Sequence, residues 1–342
     1  MSSNHFLKAG LLTILITILF IIFLESYWRG RGFPISYNDD EALWANKRAM
    51  VYEPVSKATV VIGSSRIKFD LDIPLFEKRT GDHLIQLAMV GSTPKPVLED
   101  LANDPNFKGK LIIDITEGSY FSRPGSRNER TPSQNIAYYK KITPAQKLSF
   151  IFNRGLESQF VFLQKNAFSL SAMLERIPIH ERQNLISSAV PKFPMKWSFV
   201  DFNRQTVMGK EMITDTNMQN QVKNIWMANL KIKPMRYDSA EAYMYKTKIW
   251  TDKIKQRGGQ VIFVRTPSSG FYLDKERKSY PRNKYWDRLL TITNCDGIHF
   301  EDYPEIKNIK CPEGSHLAGD DRILFTNWLI NALLQKGWKF NQ

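Results

Sequence analysis

Two short stretches carry residues able to do acyl chemistry. Gly63-Ser64-Ser65-Arg66 closes an apolar run, and Cys311-Pro312-Glu313-Gly314-Ser315-His316-Leu317 comes near the far end of the chain. A serine on a tight turn presents its hydroxyl to whatever crevice the turn borders. A histidine with a carboxylate three residues earlier can be oriented by that carboxylate through one ring nitrogen. Its other nitrogen is then free to take a proton from a serine. Ser65, His316 and Glu313 are therefore the candidate nucleophile, base and orienting acid. Gly91 follows a second apolar run, where its N–H would complete an oxyanion hole with the N–H of Ser65. Val264-Arg265-Thr266-Pro267-Ser268-Ser269-Gly270 adds a planar cationic fork. Arg265 in that position suits a carboxylate, a phosphate or the charge of a polymer, or else pairs with a local acid.

These residues need elements to hold them. Residues 58–63, 83–91, 110–115 and 260–264 are short β-branched or apolar runs bounded by turn residues, and read as four buried strands. Helices are expected over about 93–104, about 239–257 and about 320–336. The second opens on Asp238-x-x-Glu241 and closes on Gly258-Gly259. Strands alternating with helices predict an α/β fold, a parallel sheet sandwiched by helices. Ser65 then stands at a carboxyl strand end, where such sheets bind ligands. Residues from about 119 to 236 lack strong strand signals and read as a helical insertion. Pro281-Arg282-x-x-Tyr285-Trp286-Asp287 is either a glycan groove or helix core.

The first 28 residues form the expected membrane anchor. Ala9–Leu24 is uncharged over 16 residues, with Lys8 before it and Tyr27-Trp28 after it, and no small-x-small cleavage site follows. A linker is expected over 29–56 and an α/β domain over 57–342. Lys8 before the span and Arg29 and Arg31 after it leave orientation open by charge alone. Cys295 and Cys311 lie 16 apart in a loop-rich stretch. A disulfide there would stabilise by roughly 3 kcal/mol and would require an oxidising compartment.

Composition removes other classes. The chain has 342 residues with 42% hydrophobic and 24% charged, which is globular rather than disordered. Two cysteines are too few for a zinc module of four, and His180-Glu181 lacks a second histidine at the metalloprotease spacing, so no metal is expected. No phosphate-cradling glycine loop occurs, and no cofactor is expected. The net charge of +14 is dispersed without a nucleic-acid motif. Anionic lipid headgroups or an acidic envelope polymer fit it better.

The ordered set of motifs resembles the SGNH (GDSL-like) hydrolase superfamily. Gly63-Ser64-Ser65 is similar to its nucleophile block, Leu87–Gly91 to its glycine block and Glu313-Gly314-Ser315-His316-Leu317 to its Asp-x-x-His block. The resemblance covers roughly residues 57–334 apart from the helical middle. Ser64 stands where that family usually has Asp. Asp114-Ile115-Thr116-Glu117 stands where it has an Asn that donates to the oxyanion, which leaves Thr116 as the side-chain donor. With Arg265, Ser64 completes the candidate substrate-binding set. The membrane-anchored branch of the superfamily, which works on envelope polysaccharides and teichoic acids, shares the single anchor and the Gly-Ser-Ser block.

That resemblance implies an SGNH-like, flavodoxin-like three-layer fold. It further implies a single-pass bacterial membrane protein whose catalytic domain is periplasmic or extracellular. The implied activity is that of a serine acyltransferase or esterase on O-acyl groups of a cell-envelope glycan or polymer. The implied partners are an acyl donor, the membrane lipid and a multispanning acyltransferase of the MBOAT type. The rival expectation is a non-catalytic scaffold of the same fold that binds a polymer or recruits such an acyltransferase.

Overall fold

The computed structural model describes residues 3–177, 192–229 and 237–340. His180, Glu181 and parts of the expected insertion lie outside them. The chain divides into two compact units. One comprises residues 1–38 and 148–187, the other 39–147 and 188–342.

The larger unit is built on a five-stranded parallel sheet. Its strands are β1 (Ala58–Ile62), β2 (His83–Gln86), β3 (Lys110–Asp114), β6 (Gln260–Arg265) and β7 (Asp296–His299), in the order β2-β1-β3-β6-β7. Two further strands, β4 (Ser198–Val200) and β5 (Thr206–Met208), form a separate antiparallel hairpin. Successive side chains of a strand point to opposite faces. Val60, Ile62, Leu111, Ile113 and Phe263 accordingly join one core, and Val61, Ile112, Ile262 and Val264 join another.

The first core is closed by helices Lys95–Asn103, Tyr237–Gln256 and Trp286–Thr293, and the second by Ser65–Asp70, Ile73–Thr80 and Gly319–Gln335. Both faces are covered, which is why β1, β3 and β6 are apolar without alternation. Tyr285 and Trp286 are buried in the first core, so that stretch is helix core and not a groove.

The segment expected to be a linker is folded from residue 41. Asp40 caps the helix Glu41–Ala49, Trp44 is fully buried and Arg48 pairs with Asp100 and Asp104. Residues from 39 onward belong to the α/β unit. Among the described residues the insertion is mostly helical, with the β4–β5 hairpin as an unexpected element. Arg204, at the hairpin turn with φ of 65°, donates to Gln86 O at 2.7 Å and Ala88 O at 3.1 Å, and so fastens the hairpin to the end of β2.

The smaller unit contains the helix Ser3–Gly30. Within it, His5–Gly30 has a mean hydropathy of 2.6 over its most apolar stretch, none of which is buried. It is long and apolar enough to cross a membrane. Its last turns hold the returning chain. Glu25 accepts from Val161 N at 2.8 Å, and Arg29 donates to Gln159 O at 2.8 Å.

The two cysteines are free thiols, which corrects the expected disulfide. Cys295 packs against one core and Cys311 within the other, so the sheet stands between them. A spacing of 16 in sequence brought them no closer because β7 lies in between. With the bridge goes the support it lent to an oxidising compartment.

Candidate active site

Ser64 and Ser65 start a helix where β1 ends. Ser64 is the N-cap, its hydroxyl accepting from Arg66 N at 3.3 Å, and Ser65 is the first helical residue. Gly63 permits the turn because a Cβ there would sit 2.6 Å from both Asp114 Cβ and Ile67 Cγ2. Ser65 is partly exposed, whereas Ser64 and Arg66 on either side of it are buried.

The structure brings three of the expected residues into one line. Ser65 Oγ lies 2.8 Å from His316 Nε2, and His316 Nδ1 lies 2.6 Å from Glu313 Oε1. With Nδ1–H donating to Glu313, the Nε2 lone pair is left to accept from the serine. Glu313 and the His316 ring are buried, at 0% and 1% side-chain exposure, so the pair is shielded from water. The second oxygen of Glu313 accepts from Ser315 N at 2.8 Å and from the indole Nε1–H of Trp226 at 2.7 Å.

The loop bearing Glu313 and His316 is tied at two points to the helix that carries Ser65. Asp70, at that helix's last position, accepts from Leu317 N at 2.8 Å, while burial pushes its carboxyl well above the usual range. Arg66 Nε donates to Ser315 Oγ at 3.2 Å. Aromatic rings fix the imidazole plane, with the centroid of Phe69 4.5 Å from that of His316 and those of Trp197 and Trp226 each at 5.7 Å. Phe69 is itself held by Met208, Met212, Val222 and Ala318, so the hairpin and the following helices brace the His316 ring.

Other candidates are placed differently. Ser64 Oγ lies 3.1 Å from Asp114 Oδ2 and 2.7 Å from Thr116 Oγ1, and Thr116 donates to the same carboxylate oxygen at 3.2 Å. Both hydroxyls are thus engaged inside the protein. Arg265 is buried as well. It donates to Glu117 at 2.8 Å and to Glu276 at 2.7 Å, and Arg66 donates to the other oxygen of Glu276 at 2.6 Å. Burial by itself would raise Glu276, but Arg265 and then Arg66 outweigh it and hold the carboxyl below its ordinary range. Glu117 is left raised, burial exceeding the pull of Arg265. Arg265 therefore spends its fork on internal acids, the alternative its sequence context left open.

Gly91 is an exposed turn residue with φ of 63°, in a loop held to the end of β1 by Met89 N donating to Gly63 O at 3.2 Å. Trp226, Trp197, Phe69 and Asp70 are the site residues that sequence reasoning missed. Trp226 sits in the helix Thr216–Asn229, 87 residues from Glu313, and nothing local marks it.

No family model matches the chain, and no curated protein matches it in sequence. The chemistry of the site rests on its own geometry. A serine, a buried imidazole and a buried carboxylate in hydrogen-bonded series at the carboxyl edge of a parallel sheet can generate a nucleophilic alkoxide equivalent at neutral pH.

Proposed function

We propose that this chain is a membrane-anchored serine acyltransferase or esterase acting on O-acyl groups of a cell-envelope glycan or polymer. The observation that carries the acyl chemistry is the unbroken line Ser65–His316–Glu313. Ser65 Oγ attacks the acyl carbonyl while His316 Nε2 takes its proton, and Glu313 stabilises the imidazolium that results. Collapse of the tetrahedral intermediate expels the donor's alkoxide, which takes that proton from His316. An acceptor hydroxyl, of a sugar or of water, then attacks the acyl-serine as His316 removes its proton, and Ser65 leaves with the proton returned.

The fold assignment to the SGNH superfamily rests on the order of the motifs. Counting only the sheet's own strands, the order 2-1-3-4-5 is that of flavodoxin-like doubly wound sheets and is consistent with it. The reading of Ser3–Gly30 as a single-pass anchor rests on its length and uniform apolarity. The envelope glycan, the outward-facing domain and an MBOAT-type partner come from the resemblance alone.

One observation favours a second reading, a non-catalytic scaffold. Thr116, the side chain left to replace the oxyanion-donating Asn, turns its hydroxyl to Asp114 and Ser64. Loss of one such donor costs about 10²–10³ in rate. A fluorophosphonate probe separates the two readings. A catalytic site labels in the wild type and not in Ser65→Ala, whereas a scaffold leaves both unlabelled.

A further inference from the structure

The segment that returns to the end of the long apolar helix carries an apolar face of its own. In the helical stretch 148–157, Leu148, Ile151, Phe152 and Leu156 recur at the spacing of one helix face and are 48–64% exposed. Ser149, Asn153, Arg154 and Glu157 occupy the other side of the same turns. Not one residue of that helix is buried. The stretch 170–177 repeats the arrangement, with Leu170, Met173 and Leu174 52–73% exposed. Two consecutive amphipathic stretches with bare apolar sides are unusual on a soluble surface.

Their position points to the occupant. Between them, residues 159–168 are fastened to the carboxyl-terminal turns of Ser3–Gly30. Glu25 takes Val161 N, Arg29 takes Gln159 O, and the ring of Phe168 packs against Trp28 at 4.4 Å and Phe33 at 5.0 Å. Those turns, with Tyr27 and Trp28, have the aromatic character of a membrane–water boundary. Both apolar faces thus start within the same unit at the depth where the long helix leaves the hydrocarbon. We infer that residues 148–177 form an interfacial collar, whose apolar side chains enter the acyl-chain boundary of the leaflet that the long helix exits. The inference rests on reading Ser3–Gly30 as a membrane anchor. An amphipathic helix lying in the interface plane buries such a face shallowly, at the headgroup boundary.

The test uses the wild-type full chain in vesicles of phosphatidylethanolamine and phosphatidylglycerol. The vesicles are doped with a lipid bearing a diazirine either near the glycerol or at the chain terminus, and adducts are mapped by mass spectrometry. The collar predicts shallow-probe adducts on 148–156 and 170–177, and deep-probe adducts confined to the long helix. A paired Ile151→Asp, Phe152→Asp variant should lose at least fivefold of the 148–156 adducts with those of residues 9–24 unchanged. Adducts on 9–24 without any on 148–177 would overturn the collar and leave the anchor standing. Absence of adducts from both would overturn the anchor reading itself.

Discussion

The indole N–H of Trp226 donates to the oxygen of Glu313 that faces away from His316, at 2.7 Å. A carboxylate with one oxygen on the imidazole and the other on a fixed donor cannot rotate out of line. A hydrogen bond to a charged group contributes about 1.5–3 kcal/mol. Trp226→Phe should therefore slow fluorophosphonate labelling of Ser65 by about tenfold or more, through the inactivation step and not through probe affinity. The near-ultraviolet circular dichroism should stay close to that of the wild type. Unchanged labelling kinetics would show that Ser315 N and the buried site orient Glu313 without the indole.

Glu276 serves Arg66 and Arg265 at once. Glu276→Gln leaves two buried guanidiniums short of a counter-charge, a change that typically costs 3–5 kcal/mol, or roughly that here. The midpoint of chemical denaturation should fall accordingly. Arg265→Lys should also lower it, since an ammonium cannot span Glu117 and Glu276 as a fork does. A substrate-binding Arg265 would show the opposite pattern, with stability intact and only substrate affinity changed.

Gly63→Ala tests the turn before Ser65. The added methyl would lie 2.6 Å from two well-packed carbons, one of them Asp114 Cβ. Overpacking of this kind costs about 1–3 kcal/mol. Because Asp114 accepts from Ser64 N, labelling of Ser65 should fall together with the melting temperature. A variant as stable and as reactive as the wild type would mean the turn relaxes freely.

His299 supplies an acid-sensitive contribution to stability. It is 4% exposed and its Nδ1 accepts from Glu301 N, which suits the neutral ring. Burial first, then Arg265, Arg282 and Arg277, push its pKa down from 6.5 to about 2. Below pH 6.5 the unfolded chain binds a proton that the folded chain refuses, so stability is lost as pH falls from there toward 2. Between pH 7 and pH 5 the wild type should lose about 2 kcal/mol more than His299→Asn, which keeps an acceptor for Glu301 N without titrating. Equal losses in urea titrations at the two pH values would show that His299 titrates normally.

Both thiols should alkylate in denaturant without prior reduction, giving a mass shift of two adducts, and dithiothreitol should leave the melting temperature unchanged. A single disulfide-linked species would contradict the placement of Cys295 and Cys311 in separate cores.

Legibility followed the range of the interaction. β1, β3 and β6 were readable because a strand buried on both faces is a continuous apolar run. β7 was not, since Asp296-Gly297-Ile298-His299 is an edge strand with one neighbour and a polar composition. The β4–β5 hairpin has three residues a side and left no pattern to find. Glu313 and His316 were readable as a pair because three residues separate them. The partner that fixes Glu313 from behind was invisible because it comes from 87 residues away. Arg265 could be read either way because Glu276 lies only 11 residues on, while Glu117, the acid that accepts from its Nε, lies 148 residues earlier.

Ser65 and His316, which share a hydrogen bond, are separated by 251 residues. At a synthesis rate of about 5–20 residues per second, Ser65 waits on the order of 13–50 s for His316 to be made. For most of that interval β1, β2 and β3 can pair while β6 and β7 do not yet exist, and the loop carrying Glu313 comes last. A nascent chain whose long first helix has already formed therefore still lacks the imidazole and carboxylate that line up with Ser65. The Ser65 hydroxyl meets its imidazole partner only when translation has delivered the distal loop, so the order of synthesis makes assembly of this hydrogen-bonded line one of the last events in folding.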